Sequence, residues 1–78
     1  MQYVYILEGK NGSSYTGCTS DLRERFERHS KGYVPATQPI LPVVLIFYCA
    51  FKDQNKAFMF EKYLKSGSGR AFMKKRFL

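Results

Sequence analysis

The sequence predicts an α/β (α+β) fold, a three-stranded antiparallel sheet flanked by helices in the order β-β-α-β-α-α. Three observations predict it. Two β-branched and aromatic runs, Tyr3–Leu7 and Ser13–Thr16, flank Asn11-Gly12, a dipeptide suited to the positive φ angles of tight hairpin turns. A third, nearly continuous apolar run covers Val43–Phe51. Between and beyond these, apolar residues recur at helical spacing. The 78 residues leave room for one domain, residues 1–78. A chain of this size buries only about 60% of its unfolded surface, so its stability has to lean on large side chains. Seven Phe and six Tyr supply them.

Alternation along the first strand puts Tyr3 and Tyr5 on the face opposite Val4. Gly17 ends the second strand, where a glycine permits either a positive φ or a backbone approach that a Cβ would forbid. Thr19 or Ser20 can cap the first helix, with Asp21 in its first turn, and the helix runs to about Lys31. Leu22, Phe26, His29 and Tyr33 form its inward stripe, and Gly32 is the expected C′ residue. Pro35, Pro39 and Pro42 keep residues 33–42 irregular. Val43–Phe51 reads as a strand covered on both faces. Asp53 can cap a helix from Gln54 to Lys65, whose apolar face holds Ala57, Phe58, Phe60, Tyr63 and Leu64. Gly67 and Gly69 interrupt it. Ser68 then caps a last helix through Arg76, with Phe72, Met73 and Phe77 buried.

Composition excludes several classes. Cys18 and Cys49 form no CxxC pair and have no cluster of His or Cys around them, which argues against a zinc site and for a reducing compartment. The N-terminus lacks the basic region of a signal peptide. The longest uncharged stretch, residues 32–51, contains three prolines and polar residues, so no membrane span is expected and the location is read as cytoplasmic. Residues 1–51 carry a net charge of +1 and residues 52–78 carry +6. Such a basic end suits a polyanion, most often nucleic acid; solubility alone is the plainer alternative.

The stretch Tyr15–His29 concentrates a phenol, a glycine turn, two arginines flanking Phe26 and an imidazole in fifteen residues. Taken with Tyr3-Val4-Tyr5, Tyr15-Thr16-Gly17, the Asp21-Leu22-x-x-Arg25-Phe26-x-x-His29 helix, Glu61 and the Lys65-Ser66-Gly67-Ser68-Gly69-Arg70-Ala71-Phe72 run, the whole chain resembles the small stand-alone bacterial members of the GIY-YIG nuclease superfamily. The resemblance implies hydrolysis of DNA phosphodiesters assisted by one divalent metal ion, Mg2+ or Mn2+. By matching position it implies Tyr5 and Tyr15 as site phenols, Arg25, His29, and Glu61 as metal ligand. The sequence departs from the family at Ile40-Leu41, where close relatives carry paired arginines before the proline, at Cys18, where some carry lysine, and in having no asparagine after Glu61.

Phosphodiester hydrolysis needs an attacking water, a proton acceptor and positive charge against the phosphoryl oxygens. Arg25 meets the last need, being planar and always charged; its plainer reading is a helix ion pair with Asp21 or Glu24. One carboxylate can hold magnesium, which keeps waters and substrate oxygens as its other ligands, although Glu61 can equally pair with Lys65. Tyr5 is read as the base, Tyr15 as a positioner of water or phosphate, and Tyr3 as ordinary packing. His29 is balanced between proton relay and packed core histidine. Lys62, Lys65, Arg70, Lys74, Lys75 and Arg76 read as phosphate contacts that position a duplex without reading its sequence. The expected partner is therefore branched, nicked or damaged DNA, with repair or recombination as its setting; a protein partner is compatible. Two other readings stand beside this one: a nucleic-acid-binding module that has lost turnover, and a basic RNA- or protein-binding domain using exposed aromatics.

Overall fold

The computed structural model describes residues 1–76, so the expected burial of Phe77 lies outside the described residues. Its elements follow the expected order: β1 (Gln2–Glu8), β2 (Ser14–Thr19), α1 (Leu22–Ser30), a 3-10 turn (Gln38–Ile40), β3 (Val44–Phe51), α2 (Gln54–Lys65) and α3 (Gly67–Arg76). The three strands form one antiparallel sheet in the order β2-β1-β3. The hairpin turns at Gly12, φ +82°, whose N–H donates to the Gly9 carbonyl at 3.0 Å.

The central strand is β1, not the longer apolar β3. Val4, Tyr5, Ile6 and Leu7 are completely buried, because β1 alone has neighbours on both sides and layers on both faces. On one face Val4 and Ile6 pack with Ala57 and Leu64 of α2 and Met73 of α3. On the other, Tyr5 and Leu7 pack with Leu22 and Phe26 of α1 and with Ile40, Leu41 and Val43 of the proline-rich segment. Cys18 and Cys49 flank Val4 across the strands on the α2 side. The expectation that β3 is covered on both faces is corrected: it is an edge strand, and Val44 and Tyr48 stay exposed. Register pairs Ile6 with Phe47 and Leu7 with Leu45, so Ile46 is the extra residue of a bulge.

Local signals place the helix ends, with small corrections. Asp21 itself caps α1 by accepting from the Glu24 N–H at 3.0 Å, one or two residues later than Thr19 or Ser20. Thr19 instead braces the cap, its Oγ1 accepting from the Asp21 N–H at 3.1 Å. Gly32, at φ +79°, closes α1 with paired bonds, Gly32 N–H to His29 O and Tyr33 N–H to Arg28 O. That reversal carries Tyr33 off the inward stripe and leaves it exposed. Asp53 caps α2 as expected, accepting from Asn55 and Lys56. Ser66 takes the role given to Ser68, its Oγ accepting from the Gly69 N–H at 3.2 Å, and Gly69 lies inside α3. Phe58, Tyr63 and Phe72 are partly exposed rather than buried, with Tyr63 stacked on Phe60 at a centroid distance of 6.4 Å and in ring contact with Phe72 at 6.3 Å.

The corner between α2 and α3 depends on Gly69, where an added Cβ would lie 2.5 Å from Leu64 Cα and 2.6 Å from the Tyr63 carbonyl carbon. At Gly67 an added Cβ meets nothing within 4 Å. The two alanine substitutions therefore differ in sign. Gly69→Ala is expected to cost ~2 kcal/mol or more through backbone overlap, whereas Gly67→Ala is neutral or stabilises by up to ~1 kcal/mol by restricting the unfolded chain. Urea denaturation measures both, and equal effects would refute the corner geometry.

Candidate active site

Tyr5 sits in the middle of the central strand, and its ring lies across β2 over Gly17, its register partner. An alanine Cβ at Gly17 would come within 2.5 Å of Tyr5 Cζ. The glycine is needed for this close approach, not for a positive φ, and β2 continues through it to Thr19. The phenol thereby reaches His29 of α1, with Oη 2.9 Å from Nε2. Nδ1 of the same ring is 2.7 Å from Thr37 Oγ1, and Thr37 donates its one hydroxyl proton to the Val34 carbonyl at 3.4 Å. A hydroxyl that has given its proton away accepts from Nδ1–H, so Nε2 is left to accept from the Tyr5 hydroxyl. His29 and Thr37 are both fully buried. His29 is thus a packed core imidazole with both ring nitrogens bonded, one of them to Tyr5.

Tyr15 closes the group from β2, its ring centroid 5.1 Å from that of His29 and 6.3 Å from that of Tyr5. Burial, then the neighbouring Tyr15 phenol, push the Tyr5 pKa up to about 12; Arg25 opposes the rise, and Glu61 adds to it. The Tyr5 hydroxyl is therefore the point at which Tyr15, Arg25, His29 and Glu61 meet electrostatically, although they come from β2, α1 and α2. Burial, with help from Arg25 and Arg28, lowers the His29 pKa and favours the neutral ring.

Arg25 and Glu61 resolve differently against their plainer readings. Glu24 pairs with Arg28 at 3.8 Å and Asp21 caps the helix, so Arg25 has neither expected partner. Its Nε is out of solvent and finds no hydrogen-bond partner among the described residues. Glu61 does accept from Lys65, Oε2 to Nζ 2.9 Å, at the edge of the site. Ile40 and Leu41, standing where relatives carry arginines, pack beneath Tyr5 and Leu7 as apolar cover.

Beside Tyr15 an open cleft of about 860 Å³ lies between the hairpin and the α2–α3 corner, bordered by Ser13, Ser14, Lys65, Arg70 and Lys74. Three of the six expected phosphate contacts share this cleft with a site phenol. Lys62, Lys75 and Arg76 are exposed outside it. No group of three or more His, Cys, Asp or Glu suited to a metal occurs among the described residues. The donor chemistry of this region, one carboxylate with hydroxyls around it, fits a hard, largely hydrated ion such as magnesium and not zinc.

The order of elements and the sheet topology are those of a nuclease domain. The GIY-YIG catalytic domain matches residues 1–76, and the chain belongs to the GIY-YIG nuclease superfamily. It is 39% identical over 64 residues to a UPF0213 protein of Streptococcus pneumoniae serotype 4, a match that takes in 81% of this chain and 65% of that protein. It is 38% identical over 66 residues to the UPF0213 protein CPE1444 of Clostridium perfringens, across 83% of this chain and 71% of that one. The solution NMR structure of the UPF0213 protein BH0048 from Bacillus halodurans superposes with a TM-score of 0.60 at 34% identity, covering 96% of this chain and 84% of the other. Among the described residues no helix is long and apolar enough to cross a membrane.

Thr37 is the site-supporting residue that sequence reasoning does not find; a lone threonine in a proline-rich loop carries no signal of its own. Its removal is expected to be costly. Thr37→Val, close in shape but without the hydroxyl, leaves a buried imidazole N–H unpaired and should lower stability by ~1–3 kcal/mol. A second outcome follows from the depressed His29 pKa. The unfolded chain binds the imidazole proton more readily, so stability is fully present above the ordinary value of 6.5 and is lost as pH falls below it. Between about pH 7.5 and about pH 5.5, wild type should lose more unfolding free energy in urea than His29→Gln does. Equal losses would mean that the folded imidazole is free to protonate.

Proposed function

We propose that the chain is a divalent-metal-dependent endonuclease that cuts DNA by structure rather than by sequence. The observation that carries this reading is the Arg25 guanidinium, drawn close to Tyr5 with a buried Nε–H that has no acceptor. A buried donor without a partner costs about 1–3 kcal/mol, more when charged, and a phosphoryl oxygen is the acceptor that would remove the cost. Among the described residues the alternative partners of Arg25 are already engaged, which supports a role toward substrate.

In this reading Arg25 stabilises the charge that builds on the phosphoryl oxygens. Tyr5 is reassigned from base to scaffold: with a pKa of about 12, only about one molecule in 10^5 carries the phenolate at pH 7. Tyr15, half-buried and bordering the open cleft, takes the role next to the attacking water. Glu61 would hold the metal ion, which when bound supplies positive charge to the phosphoryl and leaving oxygens. Lys65, Arg70 and Lys74 hold the backbone of the substrate strand in the cleft, and Lys62, Lys75 and Arg76 add longer-range attraction. Branched or nicked duplexes, as they arise in repair and recombination, are the substrates that such a small phosphate-reading surface suits.

One observation favours a second reading, a DNA-binding module without turnover: the Lys65 ammonium occupies Glu61. Nicking of supercoiled and branched DNA with Mg2+ or Mn2+ decides between them. Wild type should nick, Arg25→Ala should lose ~10^2–10^3 in rate, and Tyr15→Phe ~10^2–10^4. Glu61→Ala should abolish product while leaving salt-sensitive binding in place. Catalysis through this site is wrong if wild type and Glu61→Ala nick equally fast. Salt-dependent binding with no product from wild type would establish the second reading.

A further inference from the structure

We propose that the groove between α1 and the uncovered part of β3 receives an unpaired nucleobase of the substrate strand, an inference that rests on the nuclease reading. The groove lies on the Tyr5 face of the sheet and shares no lining residue with the cationic cleft. It has a volume of about 490 Å³ and is walled by Tyr3, Tyr48, Leu45, Phe26 and Arg23.

The walls are built rather than accidental. Leu45 and Tyr48 are three positions apart and in a regular strand would point to opposite faces. The bulge at Ile46 removes one step of alternation, so Leu45 pairs with Leu7 and Tyr48 with Tyr5, and both turn to the groove. Tyr3 and Tyr48 form its floor, ring centroids 6.4 Å apart and tilted by 56°. Tyr48 nevertheless stays 55% exposed, since α1 covers Tyr5 and Leu7 but stops short of it. Aromatic surface left in water beside a catalytic cluster is surface available for stacking.

Chemistry and position favour a base over an apolar peptide as occupant. The groove combines ring faces with phenol hydroxyls, the Ser20 hydroxyl, the Arg23 guanidinium and the Asp21 carboxylate, whose Oδ1 is already engaged by the Glu24 N–H, a mixture that stacks a base while offering donors and acceptors to its polar edge. Arg23 makes no ion pair among the described residues. Tyr3 stands two residues from Tyr5 on the same face, about 7 Å along the strand, which spans about two nucleotides at the B-DNA rise. A base in the groove would thus be close neighbour to the phosphate at Arg25. A paired duplex keeps its bases stacked inside and cannot offer one; a flap, nick or junction can. The groove would therefore select structure without reading sequence.

The test compares binding of a duplex bearing a short unpaired flap with binding of the same duplex made blunt, in EDTA, with 2-aminopurine in the flap. Wild type should quench the 2-aminopurine and prefer the flap. Tyr48→Ala, at an exposed position, should bind the flap about 5- to 100-fold more weakly and abolish quenching, leaving blunt-duplex affinity within about twofold. Tyr48→Phe, which keeps the ring, should behave as wild type. Equal weakening on both duplexes, or none on either, overturns the groove assignment while leaving nicking activity to stand. A dimeric wild type that Tyr48→Ala renders monomeric would assign the groove to a second copy and likewise overturn it. Failure of wild type to bind either duplex overturns the nuclease reading and this inference together.

Discussion

A tyrosine on the middle strand of a small sheet puts a phenol hydroxyl where water does not reach, and that hydroxyl has to be bonded. Tyr5 creates this demand, and much of the chain answers it. Gly17 gives the ring room to cross β2. α1 brings His29 to the hydroxyl, the turn at Gly32 reverses the chain, and the segment that follows delivers Thr37 to the other side of the imidazole. Ile40, Leu41 and Val43 then cover the ring. The same arrangement leaves Arg25 beside the phenol, so the device that satisfies the core also orients the residue best suited to an anion.

Stability and chemistry consequently share parts without sharing roles. The Tyr5–His29–Thr37 chain is fully bonded and neutral, which is what a low-dielectric core requires. Arg25 is the exception, with one buried N–H left unpaired, and such exceptions concentrate where a ligand completes the structure. The β2 edge is open by comparison, and Tyr15, Lys65, Arg70 and Lys74 border the cleft beside it.

Much of this was legible in the residues. Turn chemistry at Asn11-Gly12 and Gly32, the Asp53 cap and the 3.6-residue stripes locate the three strands and three α-helices to within a few positions, because these are local effects; the 3-10 turn at Gln38–Ile40, inside the segment read as irregular, was not located. Strand order was not legible. The apolar continuity of Val43–Phe51 suggested the most covered strand, yet the two-sided burial went to Tyr3–Leu7, since sheet position is decided by which strand the helices and both neighbours can reach. Tyr33 followed the helical spacing of α1 but lies beyond its glycine stop. Of the site, ordered motifs marked the Tyr, Tyr, Arg, His and Glu positions; Thr37 escaped because its partner is eight residues away across an irregular loop. The difference in burial between Tyr5 and Tyr15 was equally hidden, for burial is a tertiary property that two strand tyrosines do not announce.

The two cysteines show what the sheet rules out. Both are register partners of Val4, one on each side, so Cys18 and Cys49 are separated by two strand spacings, roughly 9–10 Å. A disulfide needs Cα atoms within roughly 7 Å, and the central strand stands between them. Burial also pushes the Cys49 thiol up, away from the reactive thiolate. Oxidants therefore find no pair of cysteines to join within the sheet, and the fold gains no internal covalent staple in oxidising surroundings.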